Sequence, residues 1–282
     1  MHQTTRTDLA VEARTLHLQD GALPGVTAEE SNREGFAVTT VEIRSEESAK
    51  RLCKPIGVYH TVSLEPVLRR EEDAFARAAN ALASLLRETV PLSPNQTVFV
   101  VGLGNRAITP DAIGPDAAEQ VLATRHLRKQ MPEQFHYMRG VSVLAPGVLG
   151  MTGIESAEMV KTLCEQIEAD AVVVIDALAC SEPERLCRTV QITDAGIVPG
   201  SGVGNDRAAF DRHSLGVPVA AIGVPTVMDA GIVSDQPDVK GLFITPRDID
   251  AIVKDFSKVV AYGVNLAIQP ELSIADLDLL LS

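Results

Sequence analysis

No run among the 282 residues approaches the roughly 18 consecutive apolar residues of a membrane-spanning helix. The polar start, Met1-His-Gln-Thr-Thr-Arg-Thr-Asp, lacks the apolar segment of a signal peptide. These absences point to a cytoplasmic chain with no membrane partner. Basic charge is scarce too: 25 Lys and Arg face 38 Asp and Glu, for a formal net charge of −13. Phosphate backbones are bound by clustered Lys and Arg that displace counterions, so this balance argues against a direct nucleic-acid partner.

The four cysteines, Cys53, Cys164, Cys180 and Cys187, form no C-x-x-C pair, and plain reduced thiols are expected. Neither H-x-x-x-H nor H-E-x-x-H spacing occurs among His2, His17, His60, His126, His136 and His213, so a local zinc motif is missing; these spacings call for no cofactor, and a long-range ligand set of Asp111, Asp176 and one histidine stays open. A hydrolase nucleophile elbow is missing as well, because Pro199 takes the place of the first glycine of G-x-S-x-G.

What is present suffices for one large core, or a core with an appended lobe: hydrophobic residues make up 45% of the chain. The polar stretch to about Asn32 reads as a mobile lead-in. Phe36 to Ile43 alternates as a strand, Gly57 to Val62 is a weaker one, and Glu71 to Thr89 carries apolar residues at helical spacing until Pro91 ends it. From Thr97 onward strands alternate with helices. The strand runs are Val98 to Leu103, Val141 to Leu144, Ala171 to Ile175, Thr189 to Ile192 and Val217 to Val224. Helices are predicted at about Pro115 to Arg128, Glu155 to Ala169 and Arg247 to Ala267, with a short one after Ser273. This is the pattern of an α/β fold with a mostly parallel sheet flanked by helices and a small N-terminal lobe. The lobe and its lead-in helix would cover 9–92 and the α/β core 93–282, or the two form one continuous domain.

Three glycine-rich turns follow strands. Gly102-Leu-Gly-Asn-Arg-Ala matches a loose dinucleotide-binding form, but Ile108-Thr-Pro comes next, so the helix is not expected to open inside the motif. Ala145-Pro-Gly-Val-Leu-Gly-Met-Thr-Gly reads either as a functional turn or as a plain strand-to-helix loop capped by Thr152 or Ser156. The turn Pro199-Gly-Ser-Gly-Val-Gly-Asn is a candidate for substrate or oxyanion contacts through Gly200, Ser201, Gly202, Gly204 and Asn205.

Two aspartates carry the chemistry. Asp111 follows the first buried run after its glycine turn, and Asp176 caps Ala171-Val-Val-Val-Ile. Open parallel sheets bind ligands beyond the carboxyl ends of their strands, where neighbouring strands would bring both carboxyls into one crevice. The plainer alternative has Asp111 capping a helix start and Asp176 ending a strand in a turn.

At these residues the chain resembles the germination proteases of spore-forming bacteria. The matching segments are Arg6-Thr-Asp-Leu-Ala-Val-Glu, Val101-Gly-Leu-Gly-Asn, Thr109-Pro-Asp-Ala-Ile-Gly-Pro, Ala145-Pro-Gly-Val-Leu-Gly-Met-Thr-Gly-Ile-Glu, Val174-Ile-Asp-Ala-Leu-Ala and Pro199-Gly-Ser-Gly-Val-Gly-Asn-Asp-Arg. The resemblance implies a fold similar to the hydrogenase maturation proteases and an aspartate-dependent endopeptidase without bound metal, with Asp111 and Asp176 as its catalytic residues. It further implies a homotetramer, made as an autoprocessed zymogen, that begins the breakdown of small acid-soluble spore proteins. The propeptide would be 1–8, cut between Asp8 and Leu9. Two rivals stay open: a metal-sensing maturation-type peptidase using Asp111, Asp176 and a distant histidine, and a non-enzymatic nucleotide-binding protein using Gly102 and Gly104.

Overall fold

The computed structural model describes residues 7–18, 23–205, 207–234, 236, 239 and 241–281. In chain order the elements are α1 (Ala10–Leu18), β1 (Val26–Arg33), β2 (Phe36–Ile43), α2 (Glu46–Leu52), β3 (Gly57–Ser63), α3 (Glu65–Leu68), α4 (Ala74–Thr89), β4 (Thr97–Gly102), α5 (Ile113–Ala118), α6 (Arg125–Gln130) and α7 (Pro132–Phe135). They continue with β5 (Gly140–Leu144), α8 (Leu149–Thr152), α9 (Ser156–Ile167), β6 (Ala171–Cys180), β7 (Thr189–Thr193), α10 (Arg212–Leu215), β8 (Val219–Asp229), β9 (Phe243–Ile244), α11 (Ile249–Ile268) and α12 (Ile274–Leu280).

The strands join in the order β1-β2-β3-β7-β8-β6-β4-β5, with β9 on the far end of β8. The α/β architecture with flanking helices is as the sequence predicts, but the sheet is mixed. Its parallel part is β5-β4-β6-β8, and β1, β2, β3, β7 and β9 add antiparallel pairings. β3 pairs directly with β7, so the N-terminal strands extend the same sheet that carries the core.

One face of the sheet is covered by α4 and α11, whose Leu82, Leu85, Phe256 and Val260 pack with Val100, Val173 and Ile222. Full burial of such side chains contributes about 1.5–3 kcal/mol each. The helices approach closely at Gly263, where an added Cβ would stand 2.9 Å from Cβ of Leu82. The opposite face carries two smaller clusters, one around Phe99, Val174 and Phe210, the other around Leu9, Tyr59 and Leu178. No helix of the described residues is long and apolar enough to cross a membrane.

Two expectations need correction. The lead-in contains α1 and the edge strand β1, which runs in full register with β2 from Val26↔Ile43 to Arg33↔Phe36. It reads as coil in sequence because its side chains are mostly exposed on both faces, and backbone pairing requires no apolar alternation. The helix predicted from Pro115 to Arg128 is two short ones. Between them the chain turns to follow the sheet: Leu122 donates its N–H to Oδ1 of Asn265, and Thr124 donates to the carbonyl of Val141.

Candidate active site

Beyond Gly102 the chain leaves β4, crosses Leu103 to Ile108 and closes a 3₁₀ turn at Thr109–Asp111. Gly104 makes this possible, with φ of +119° and no Cβ to overlap the carbonyl oxygen of Asp111. The turn lets the Asn105 N–H donate to Oδ2 of Asp111 at 2.7 Å. The neighbouring glycines serve close approach, since a Cβ on Gly114 would overlap the Leu103 carbonyl oxygen. As expected, no helix opens inside the motif.

Asp176 does not end its strand. β6 continues through Cys180 because β8 runs on beside it, past Pro225. A proline inside a sheet cannot donate to the ladder, and here the register shifts between Leu178 and Ala179. The small alternating residues Ala177 and Ala179 disguise the extension as a turn. Asp176 therefore lies mid-strand, 5% exposed, with Gly223 of β8 as its Cα partner.

Asp111 and Asp176 line one cavity of about 710 Å³. Gly147, Val148, Leu149 and Gly150 form part of its wall. Neither capping expectation for that turn holds: Ser156 Oγ donates to the Gly147 carbonyl, and Glu155 begins α9 without a side-chain cap. Burial raises the pKa of Asp111, and the Asn105 N–H partly offsets it. Asp176 is held well above the ordinary carboxylate range, first by burial and then by the neighbouring Asp111 charge, against a 2.9 Å hydrogen bond from the Ala177 N–H.

Above Ile175, where β4 ends, alternate N–H groups along β6 and just past its end are taken by carboxylates. Ala177 donates to Asp176, Ala179 donates to Oδ2 of Asp8 at 2.8 Å, and Ser181 donates to Oε2 of Glu12 at 2.7 Å. Thr7 to Leu9 is thus no mobile tail. The Asp8 N–H donates to the Ala179 carbonyl at 2.9 Å, the Asp8 carbonyl accepts from Gln191, and Leu9 is 0% exposed.

In the third glycine turn, Gly200, Val203 and Asn205 line the cavity. The N–H groups of Ser201, Val203, Gly204 and Asn205 donate to the carbonyls of Val198, Gly200 and Ser201, and Ser201 Oγ donates to Oδ1 of Asp8 at 2.6 Å. Gly202 is buried against Asp8.

A family model described as germination protease matches residues 5–240. The chain belongs to the germination protease family. The germination protease of Caldanaerobacter subterraneus subsp. tengcongensis is 40% identical over 98% of both chains, and that of Clostridium perfringens strain SM101 is 39% identical over 97% of this chain and 98% of its own. Among solved structures, a NiFe hydrogenase maturation protease from Thermococcus kodakarensis KOD1 matches at 18% identity with a TM-score of 0.37, covering 64% of this chain and 98% of that one. This member of the family is accordingly a protease. Among its described residues, no group of three or more His, Cys, Asp or Glu side chains is arranged to hold a metal ion.

Sequence reasoning missed Gln191, which holds the Asp8 carbonyl, and it took Asp8 and Glu12 only as parts of a cleavage motif. The motif Thr7-Asp-Leu-Ala-Val-Glu was the available signal. That its acids are held along β6 is a long-range fact no local pattern carries.

Proposed function

We propose that this chain is an aspartate-dependent endopeptidase, made as a precursor, that cuts itself between Asp8 and Leu9 and then begins the degradation of small acid-soluble spore proteins in the spore core. The observation that carries this reading is the pair Asp111 and Asp176, two carboxyls in one cavity with unequal surroundings. Such a pair shares one proton and titrates as a unit. Asp176, the more deeply buried, keeps the proton; Asp111, steadied by the Asn105 N–H, carries the charge.

Asp111 takes a proton from water as the water oxygen bonds to the scissile carbonyl carbon, and Asp176 gives its proton to the carbonyl oxygen. Collapse of the resulting diol breaks the C–N bond. The proton on Asp111 passes to the leaving nitrogen, and a diol hydroxyl returns one to Asp176.

The held segment supports the self-cutting step. Proteins commonly bind peptides by adding them as extended strands to an open sheet edge, and Thr7 to Leu9 lies along the edge of β6 that also carries Asp176. Ile108, Val203 and Phe243, apolar residues exposed where they line the cavity, support grip on unfolded polypeptide. The proposed assembly is a homotetramer, which would restrict the cavity to flexible substrates.

Incubation with a small acid-soluble spore protein, followed by mass spectrometry, tests the reading. Discrete cuts between an acidic and an apolar residue are expected, and an intact substrate beside a correctly processed enzyme would refute it. Light scattering checks the tetramer.

A further inference from the structure

A second cavity of about 530 Å³ adjoins the aspartate cavity, and the two share Asp8 and Leu178 as lining residues. Its floor is the sheet, with Tyr59, Gln191, Thr193 and Gly223, and its sides include Lys54 and Ser201. The Asp8 carboxylate stands at the junction. Oδ2 accepts from the Ala179 N–H at 2.8 Å and Oδ1 accepts from the Ser201 hydroxyl at 2.6 Å. Gly202 closes the place from the third side, where any Cβ would overlap Oδ2 and come within 2.6 Å of the Ala179 Cβ. This is a fitted seat for a carboxylate.

Lys54 lines this cavity together with Asp8. Burial lowers its pKa, and the carboxylate that most opposes that shift is Asp8, ahead of Glu12. A half-buried ammonium is retained at a cost unless an anion stands near it. Lys54 lines the second cavity, and Asp111 lines only the first.

We propose that this seat is the recognition site for the acidic side chain on the amino side of the bond the enzyme cuts, with the Ala179 N–H and Ser201 hydroxyl as hydrogen-bond donors and Lys54 as its cation. The assignment rests on the peptidase reading above. An ionised carboxylate accepts both donors and answers the ammonium; an amide of the same shape brings an N–H₂ that can do neither. The seat therefore selects acid over amide at that position, and in the intact chain Asp8 occupies it.

The test uses the full chain and its own bond, followed by intact-mass spectrometry. Cutting after residue 8 should persist in Asp8→Glu and slow at least about tenfold in Asp8→Asn, the range lost with a hydrogen bond to a charged group. Lys54→Met should slow the unsubstituted Asp8 chain by about tenfold yet leave the Asp8→Asn chain unchanged, Ser201→Ala should slow the Asp8 chain more than the Asp8→Asn chain, and Lys54→Arg should restore the rate. Equal slowing with aspartate and with asparagine at position 8 would overturn the assignment, because a residue that only supports the fold is indifferent to the charge there. Absence of any cutting in the unsubstituted chain refutes the peptidase reading instead. What remains, a carboxylate seat without a cutting role, is then decided by urea unfolding of the same variants: destabilisation by Lys54→Met that disappears when Asp8→Asn is also present upholds it, and additivity overturns it.

Discussion

The side-chain amide of Gln191 donates through Nε2 to the carbonyl oxygen of Asp8 at 3.2 Å. Its Oε1 accepts the Ala10 N–H at 2.8 Å, so one buried amide bridges the two peptide units on either side of Leu9. In the proposed cut that carbonyl is the one attacked. Gln191 is then positioned to stabilise the charge that develops on its oxygen, and removing one such donor typically costs about 10²–10³-fold in rate. Gln191→Leu should slow self-processing by that amount while the circular dichroism spectrum is retained. Processing at the normal rate would reduce Gln191 to a fastening for the segment.

Asp111→Asn and Asp176→Asn should each abolish cutting, at least about 10³-fold, because groups that act as a unit fail together. Both variants preserve size and should fold. Turnover near normal in either one, measured on a folded sample with a peptide containing Thr-Asp-Leu-Ala-Val-Glu, would remove the dyad.

Asp176 also leaves a mark on stability. Its pKa in the folded chain lies well above the ordinary aspartate value, so between those two values the native state holds a proton that the unfolded chain has released. Stability then falls as pH rises through that window and is fully present below the ordinary value. Burial pushes Asp111 in the same direction. Asp176→Asn cannot ionise, so its melting temperature should gain on the unsubstituted chain as pH is raised from about 4 toward 8, a range that starts near the ordinary aspartate value. A constant gap would mean that Asp176 is charged in the folded state.

Much of this arrangement was legible in the sequence. The β-branched runs marked the central strands, and the helical spacing of Phe75, Ala78, Ala79, Leu82 and Leu86 marked α4, because those residues answer to one buried face. Asp111 follows β4 through the glycine turn as expected, whereas Asp176, expected to end its run, lies inside β6. What stayed hidden depends on partners distant in sequence. β1 exists through its pairing with β2, the end of β6 through β8, and α1 through Glu12, which is 0% exposed and bonded to Ser181 and Glu182. None of these leaves a periodic trace.

Gly104 offers a test of how tightly the turn fixes Asp111. An alanine there must adopt φ near +119°, a conformation L-residues rarely take, and its Cβ would overlap the Asp111 carbonyl oxygen and stand 3.1 Å from Oδ1. Backbone held in such a region costs on the order of 1–3 kcal/mol. Relief requires the 3₁₀ turn to move away, which breaks the 2.7 Å bond from the Asn105 N–H that would steady Asp111 as the ionised member of the proposed dyad. Misplacing a catalytic group by about 1 Å can cost roughly 10²-fold in rate. Gly104→Ala should therefore lose far more activity than its fraction unfolded explains. Gly140→Ala is the matched control: its φ is ordinary and the nearest atom to an added Cβ is Thr97 Oγ1 at 3.5 Å, so stability and rate should both stay close to the unsubstituted chain. Urea unfolding and peptide cleavage on the two variants decide the point, and a Gly104→Ala enzyme that loses stability but turns over normally would show that Asp111 is placed by something other than this turn.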